Sequence, residues 1–427
     1  MRPARVAIIF DNFGPYHWAR LEAAGSVCDL MAIEVRDNCM EHGWVRQPRQ
    51  VQFQTHTLVK GASDKKLQLR NLSARLGKVL TEFKPQAVFV PGWSCATAFI
   101  AHNWCNLNSV STIVMSESNS WDEQRFALKE WVKRRLTRMY AAALVGGTAH
   151  KHYMVELGLP AERIFLGYDA VDNEYFARGA NEVRSQKEEG RNRSTSSDLR
   201  APSPQSGEGS LPEKYFLASA RFVEKKNLTR LIEAYALYRQ KAETGKQKTE
   251  IWDLVLLGDG PLRSTLNSQL STLNLHGHVQ MPGFKQYDEL PAYYGLASAF
   301  VHASTTEQWG LVVNEAMASG LPVLVSNRCG CAMDLVKDGV NGFTFDPHNV
   351  EQLAVLMLKI WEMEDGRWKM GNRSSAFGAT SQQIISSWSP GRFGQGVSAA
   401  VERALGSGAQ RISLLDKVLL QVLTALT

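Results

Sequence analysis

The sequence predicts an α/β protein built from two parallel-sheet domains, and three observations predict it. Short apolar runs alternate with segments of helical periodicity. That series stops after residue 180 and restarts at residue 215. Finally, 427 residues with 44% apolar composition are more than one core ordinarily serves.

Taken in chain order, the first half offers strands at 5–10, 30–35, 87–91, 111–115 and 142–146, each followed by turn residues and a helix-like stretch. The opening run, Arg5 to Phe10, is too short and too soon interrupted by Asp11 for a signal sequence or membrane span, so a cytoplasmic location is expected. The second half offers Tyr215 to Ala220, Asp253 to Leu257, His278 to Met281, Ala299 to His302 and Pro322 to Val325. Between the halves, Asn181 to Ser210 has only Val183 and Leu199 as branched aliphatics. A stretch so poor in apolar surface cannot offset its ordering entropy and is expected to be a disordered insertion. The tail 411–427 is apolar but carries Asp416 and Lys417, which fits a packed helix rather than a membrane span. The expected division is therefore 1–180, a linker 181–210, 211–385, and a tail 386–427 that packs back on the first domain.

Six cysteines, at 28, 39, 95, 105, 329 and 331, show no metal spacing and no dense framework, so reduced thiols are expected. The net charge of +6 is mostly interspersed with acidic residues, and no nucleic-acid partner is expected. One basic cluster, Lys129, Lys133, Arg134, Arg135 and Arg138, shares a predicted helix with Leu128, Trp131, Val132 and Leu136. A solvated helix face is the preferred reading, with peripheral membrane contact as the alternative. Several enzyme classes are excluded by missing motifs: no Asp-x-Asp, no phosphate loop of the Gly-x4-Gly-Lys-[Ser/Thr] type, no complete Gly-x-Gly-x-x-Gly and no Gly-x-Ser-x-Gly. His276 and His278 lack a companion ligand set, so no metal and no cofactor are expected.

The chemistry concentrates in Ser304 to Gly320. A strand ends in a polar loop, and Gly310 introduces an amphipathic helix. Ligands bind at such strand ends, where free amides from about Gly310 to Val312 would face a phosphate. Glu315 would lie ~7 Å beyond Glu307's end of the helix at ~1.5 Å per residue, so each carboxylate would meet a different part of one extended ligand. A carboxylate accepts paired hydrogen bonds, which suits vicinal hydroxyls of a sugar or ribose. The competing reading makes Glu307 a helix cap and Glu315 a solvent-facing residue. A second constellation, Ser219-Ala-Arg221-Phe-Val-Glu-Lys-Lys226-Asn227, follows the first strand of the second half. Its arginine fork and lysine point charge could share a diphosphate. Two further loops, Gly258-Asp-Gly260-Pro261 and Pro282-Gly283-Phe284, read as turns or as backbone contacts to a base.

Arg221 to Pro347 resembles the donor domain of the retaining family-four glycosyltransferases, glycosyl transferases group 1, whose Glu-x7-Glu pattern matches Glu307 and Glu315. The resemblance implies a GT-B fold, with two Rossmann-like domains facing a central cleft. It also implies that Arg221, Lys226 and Glu307 are catalytic, with Glu307 on the transferred sugar and Glu315 on the nucleotide ribose. Gln308, Trp309, Gly310 and Leu311 would bind the donor through their amides, and Gly258 and Phe284 would line the base pocket. The usual glycine before the arginine is Ala220 here, and Asp334 stands where a glutamate is usual.

The first half matches less closely. Gly14 could admit a phosphate or acceptor or simply make a turn, and His17 could touch either substrate or be structural. Where many relatives have a histidine, the chain reads Ser116-Glu117-Ser118, which puts Glu117 forward as an acceptor-side residue. The expected activity is sugar transfer from a nucleotide-diphosphate sugar to an acceptor hydroxyl, with retention and without metal. The alternatives are a nucleotide-sugar isomerase or epimerase of the same form and an inactive sugar-binding protein. Neither glutamate is expected in the core.

Overall fold

The computed structural model describes residues 3–37, 49–61, 71–192, 210–244, 250–364, 374–406 and 412–426. The chain forms two compact units, Met1–Val171 with Trp388–Thr427, and Asp172–Ser387.

The first unit is a seven-stranded sheet of β1 Arg5–Phe10, β2 Asp29–Arg36, β3 Gln54–Val59, β4 Ala87–Pro91, β5 Ser111–Ser116, β6 Ala142–Val145 and β7 Ile164–Leu166. It is parallel throughout, in the order β3-β2-β1-β4-β5-β6-β7. Helices α1 Pro15–Gly25, α2 Leu72–Phe83, α3 Ala96–Leu107, α4 Ala127–Thr137 and α5 Thr148–Glu156 make the crossovers. The central strands are almost continuously apolar because both faces are buried. The two strands absent from the sequence reading, β3 and β7, are the edges. There β3 exposes Gln54, Thr55 and His56 and β7 has three residues, so neither carries the signature of a buried strand.

The second unit opens with α6 Asn173–Asn192 and contains a six-stranded parallel sheet in the order β10-β9-β8-β11-β12-β13. Its elements are β8 Tyr215–Ser219, α7 Leu228–Thr244, β9 Asp253–Leu257, α8 Arg263–Thr272, β10 Val279–Gln280, α9 Leu290–Leu296 and β11 Ala299–His302. After these come α10 Leu311–Ala318, β12 Val323–Ser326, α11 Ala332–Leu335, β13 Gly342–Phe345, α12 Val350–Glu364 and α13 Ser374–Ser386. The unexpected strand β13 reads Gly-Phe-Thr-Phe. Its Gly342 lies so close to Val323 that a Cβ would sit 1.8 Å from the Val323 carbonyl oxygen. The chain then returns to the first unit. There α14 Pro390–Gly406 packs on α1 and β6, and α15 Leu414–Leu426 packs on α3 through the buried Leu420. Among the described residues, the five cysteines are free; Cys39 lies outside them.

The linker expected from Asn181 is not one at its start. Helix α6 runs through that boundary to Asn192, and 193–209 lie outside the described residues. The division between units also falls at residue 172 rather than 180. Composition misleads because this helix is held by close backbone approach and by one arginine rather than by aliphatic bulk. Added Cβ atoms at Gly179 and Gly295 would come within 2.6 Å of Pro291 and 2.8 Å of Ala180, so the two glycines let α6 and α9 touch. Arg184 donates to the carbonyls of Gly295 at 2.9 Å and Ser319 at 2.7 Å, closing the C-terminal end of α10 with a cation. Arg184→Ala should therefore lower the unfolding free energy of this unit by about 1.5–3 kcal/mol. Urea unfolding reads this as a fall in midpoint at constant slope, and an unchanged midpoint would show the helix is held by other contacts.

Candidate active site

In the second sheet the strand order reverses between β8 and β11, and ligands of open parallel sheets bind beyond the strand ends at such a point. The loops that leave these two strands bring Lys226 and Glu307 together, with the Lys226 ammonium donating to Glu307 Oε2. His302 Nε2 and Ser304 Oγ each lie 3.4 Å from the same oxygen, and Ser304 Oγ is 3.3 Å from His302 Nε2. Burial would raise the Glu307 carboxyl, but the His302 contact and the Lys226 charge outweigh it and hold it well below the ordinary carboxylate range. Burial lowers His302, despite its contact to Glu307. At neutral pH the cluster is thus a charged Lys226–Glu307 pair against a neutral imidazole.

The backbone fixes this pair from several directions. Thr305 N donates to Lys225 O at 2.9 Å, Glu307 N to Arg328 O at 3.2 Å, and Gly330 N to Glu307 O at 3.1 Å. Asn227, in the left-handed region at φ 57°, donates Nδ2 to Ala303 O at 3.0 Å and Pro347 O at 2.7 Å, which ties the residue after Lys226 to the far loop. His302, Ser304 and Asn227 were not singled out from sequence. Only Asn227 carried a local signal, as an asparagine between a Lys-Lys pair and a helix start, where that residue type tolerates positive φ.

Gly310 caps α10 at φ 104°, a conformation that favours glycine, and the amides of Leu311 and Val312 have no acceptor within the helix. Trp309 is buried, with Nε1 donating to Asn314 Oδ1 at 2.8 Å, so its ring belongs to the core and only its main chain could meet a ligand. Gln308 is exposed beside it. Glu315 corrects an expectation: it is 1% exposed and lies in the core. The Tyr294 hydroxyl donates to Glu315 Oε2 at 2.6 Å and also meets Ser219 at the end of β8. Burial first, and then the Glu315 charge, push the Tyr294 phenol well above its ordinary value, so it stays protonated and donating.

The loops after β8, β9 and β10 interlock. Gly258, at φ 128°, donates its N–H to Gly283 O at 2.9 Å, and a Cβ there would lie 2.0 Å from the Ala220 carbonyl oxygen. Phe222 N donates to Asp259 O at 2.8 Å. Gly258 is therefore required by backbone conformation and by space together. Phe284 is exposed on the third of these loops. Arg221 stands exposed on the first, and among the described residues it forms no ion pair.

In the first unit His17 Nδ1 accepts the Gly14 N–H at 3.0 Å, and its ring packs on Phe10 at 4.4 Å, so His17 closes the turn that opens α1. Gly14 is extended at φ −84°, and an added Cβ would meet nothing closer than 3.5 Å, so neither backbone nor space demands glycine there. Glu117 faces Asp169. Burial and then the Glu117 charge raise Asp169 well above the carboxylate range, against the opposing Arg20. Among the described residues, no three His, Cys, Asp or Glu side chains are grouped so as to hold a metal ion.

Two parallel-sheet α/β units in succession, the second with its strand order reversing between β8 and β11, have the GT-B fold. Residues 203–377 match the family model described as glycosyl transferases group 1. The chain is 30% identical over 142 residues to an α-monoglucosyldiacylglycerol synthase of Acholeplasma laidlawii, covering 33% of each chain. It is 33% identical over 173 residues to a sucrose synthase of Thermosynechococcus vestitus, covering 36% of this chain and 20% of that one. The match thus spans about a third of the first relative's length and a fifth of the second's. In structure, the chain is similar to the Anabaena protein HepE crystallised with UDP and glucose, with a TM-score of 0.65 and 18% identity, over 94% of this chain and 100% of that one. It is also similar to a sucrose-phosphate synthase of Thermosynechococcus elongatus, with a TM-score of 0.63 and 16% identity, over 90% and 94% of the two chains.

Proposed function

We propose that this protein transfers a hexose or related sugar from a nucleotide-diphosphate sugar to an acceptor hydroxyl, with retention of anomeric configuration and without a catalytic metal. The observation that carries the reading is the Lys226–Glu307 pair at the switch point, followed by the Gly310-capped helix. A structural neighbour bound to UDP and glucose supports a donor of this class.

In this reading Arg221, Lys226 and the first amides of α10 hold the diphosphate and stabilise the charge that grows as the sugar departs. Glu307 accepts hydrogen bonds from the transferred sugar, and Glu315 from the nucleotide ribose. The bond between the anomeric carbon and the phosphate oxygen breaks as the acceptor oxygen bonds that carbon on the same face. The acceptor's proton passes to the leaving phosphate. The loops carrying Gly258 and Phe284 flank the base, and the first unit recognises the acceptor. Cations and amides take over the metal's usual role on the diphosphate, so transfer should continue unchanged in excess chelator. The test is a panel of nucleotide sugars and hydroxyl acceptors, assayed with and without chelator. Loss of activity restored by magnesium or manganese would sink the metal-free mechanism, and donor epimerisation without any acceptor would sink transfer itself.

A further inference from the structure

Two helices of the first unit share an exposed apolar surface that the donor chemistry does not use. Leu128 and Trp131 on α4 are 74% and 45% exposed, Leu414 on α15 is 79% exposed, and Phe126, Leu415 and Val418 are exposed with them. The helices are fastened to each other. Arg135 Nε lies 2.6 Å from Asp416 Oδ1, and Arg135 Nη2 donates to Ser413 Oγ at 3.3 Å. Leu420 anchors α15 in the core, so its outer residues are not spare core residues waiting for a partner in this unit.

The charges around this surface are sorted by sign. The nearby acids are paired: Asp122, Glu123 and Glu130 share Arg125 and Lys133, and Asp416 pairs with Arg135. The exposed cations Lys129, Arg134, Arg138 and Lys417 form no ion pair among the described residues, although the Lys129 charge does reach Glu123. Lys129 also lies 5.5 Å from the Phe126 ring, an arrangement in which an apolar stem and a charged head serve one surface. What is left is apolar side chains, one of them a tryptophan, surrounded by unneutralised positive charge.

We propose that α4 and α15 dock the first unit on an anionic lipid surface, lying in the interface plane. Leucine, tryptophan and phenylalanine beside lysine and arginine is the composition of interfacial helices, and such cations gain from a negatively charged leaflet. Neither helix is long enough to cross a bilayer, and among the described residues no helix is. A second copy of the chain fits less well, because a two-fold contact through this face would set Lys129, Arg134 and Lys417 against their own equivalents.

The test is flotation of the full chain with unilamellar vesicles of phosphatidylglycerol or of phosphatidylcholine. Binding is expected to the first and not the second, falling as salt rises. Lys129→Gln, Arg134→Gln and Lys417→Gln should each lower partition about fivefold. Leu128→Ser with Trp131→Ser should lower it about tenfold or more. Nucleotide-sugar binding and circular dichroism should stay unchanged in all of them, since these side chains are exposed and outside the donor site. Absence of binding to phosphatidylglycerol at low salt, or equal binding by the variants, overturns the proposal. So does a dimer that the Leu128→Ser and Trp131→Ser pair dissolves.

Discussion

Replacing Glu307 with alanine should cut turnover of the sugar-bearing donor about ten- to hundredfold, the loss of a charge-assisted hydrogen bond of about 1.5–3 kcal/mol. Affinity for the free nucleotide diphosphate should not fall. The substitution removes the carboxylate that Lys226 engages and leaves the ammonium wholly available to phosphate. Calorimetry with the diphosphate, paired with transfer kinetics, separates these effects; reduced affinity together with unaltered turnover would invert the assignment. A pH arm uses Glu307→Gln. A carboxylate held below its ordinary value contributes stability that is present above about pH 4.5 and lost as pH falls toward its folded value. The stability difference between the parent protein and Glu307→Gln should accordingly be constant near neutrality and shrink below about pH 4.5.

Glu315→Ala is expected to act twice. Affinity for the nucleotide diphosphate should fall about ten- to hundredfold, because the proposed ribose contact exists with or without a sugar attached. The unfolding free energy should also fall by about 1–3 kcal/mol, since the Tyr294 hydroxyl then loses its buried carboxylate acceptor. Tyr294→Phe separates the two, because it keeps the carboxylate and removes only the hydroxyl that positions it. Its nucleotide affinity should fall less than that of Glu315→Ala. A Glu315→Ala protein that is destabilised but binds nucleotide normally would make the residue purely structural.

The contrast between the two glutamates shows how far the sequence could be read. Their spacing, the preceding strand and Gly310 located the switch-point loop correctly, because strand, turn and helix entry are local patterns. The burial of Glu315 was not legible, since it depends on Tyr294 and Ser219, which come from other elements of the sheet and its covering helices. The same holds for His302, Ser304 and Asn227 around the Lys226–Glu307 pair, whose partners are distant in sequence. Central strands could be read from continuous apolar runs, whereas β3 and β7 could not, because an edge needs no such run. Helix α6 was obscured for a different reason: Arg184 looks like a linker residue until the carbonyls of Gly295 and Ser319 are known to face it.

Lys226 and Glu307 neutralise each other, and under the proposed function that would make the site a selector of whole molecules over fragments. A lone phosphate that draws Lys226 away strands a largely buried carboxylate, and a lone sugar that occupies Glu307 strands an ammonium. Each fragment therefore binds at the expense of a contact it cannot replace. A ligand that presents an anion and hydroxyls on one framework would satisfy both partners in a single exchange, so inorganic phosphate and free hexose are expected to be poor competitors for the same two side chains.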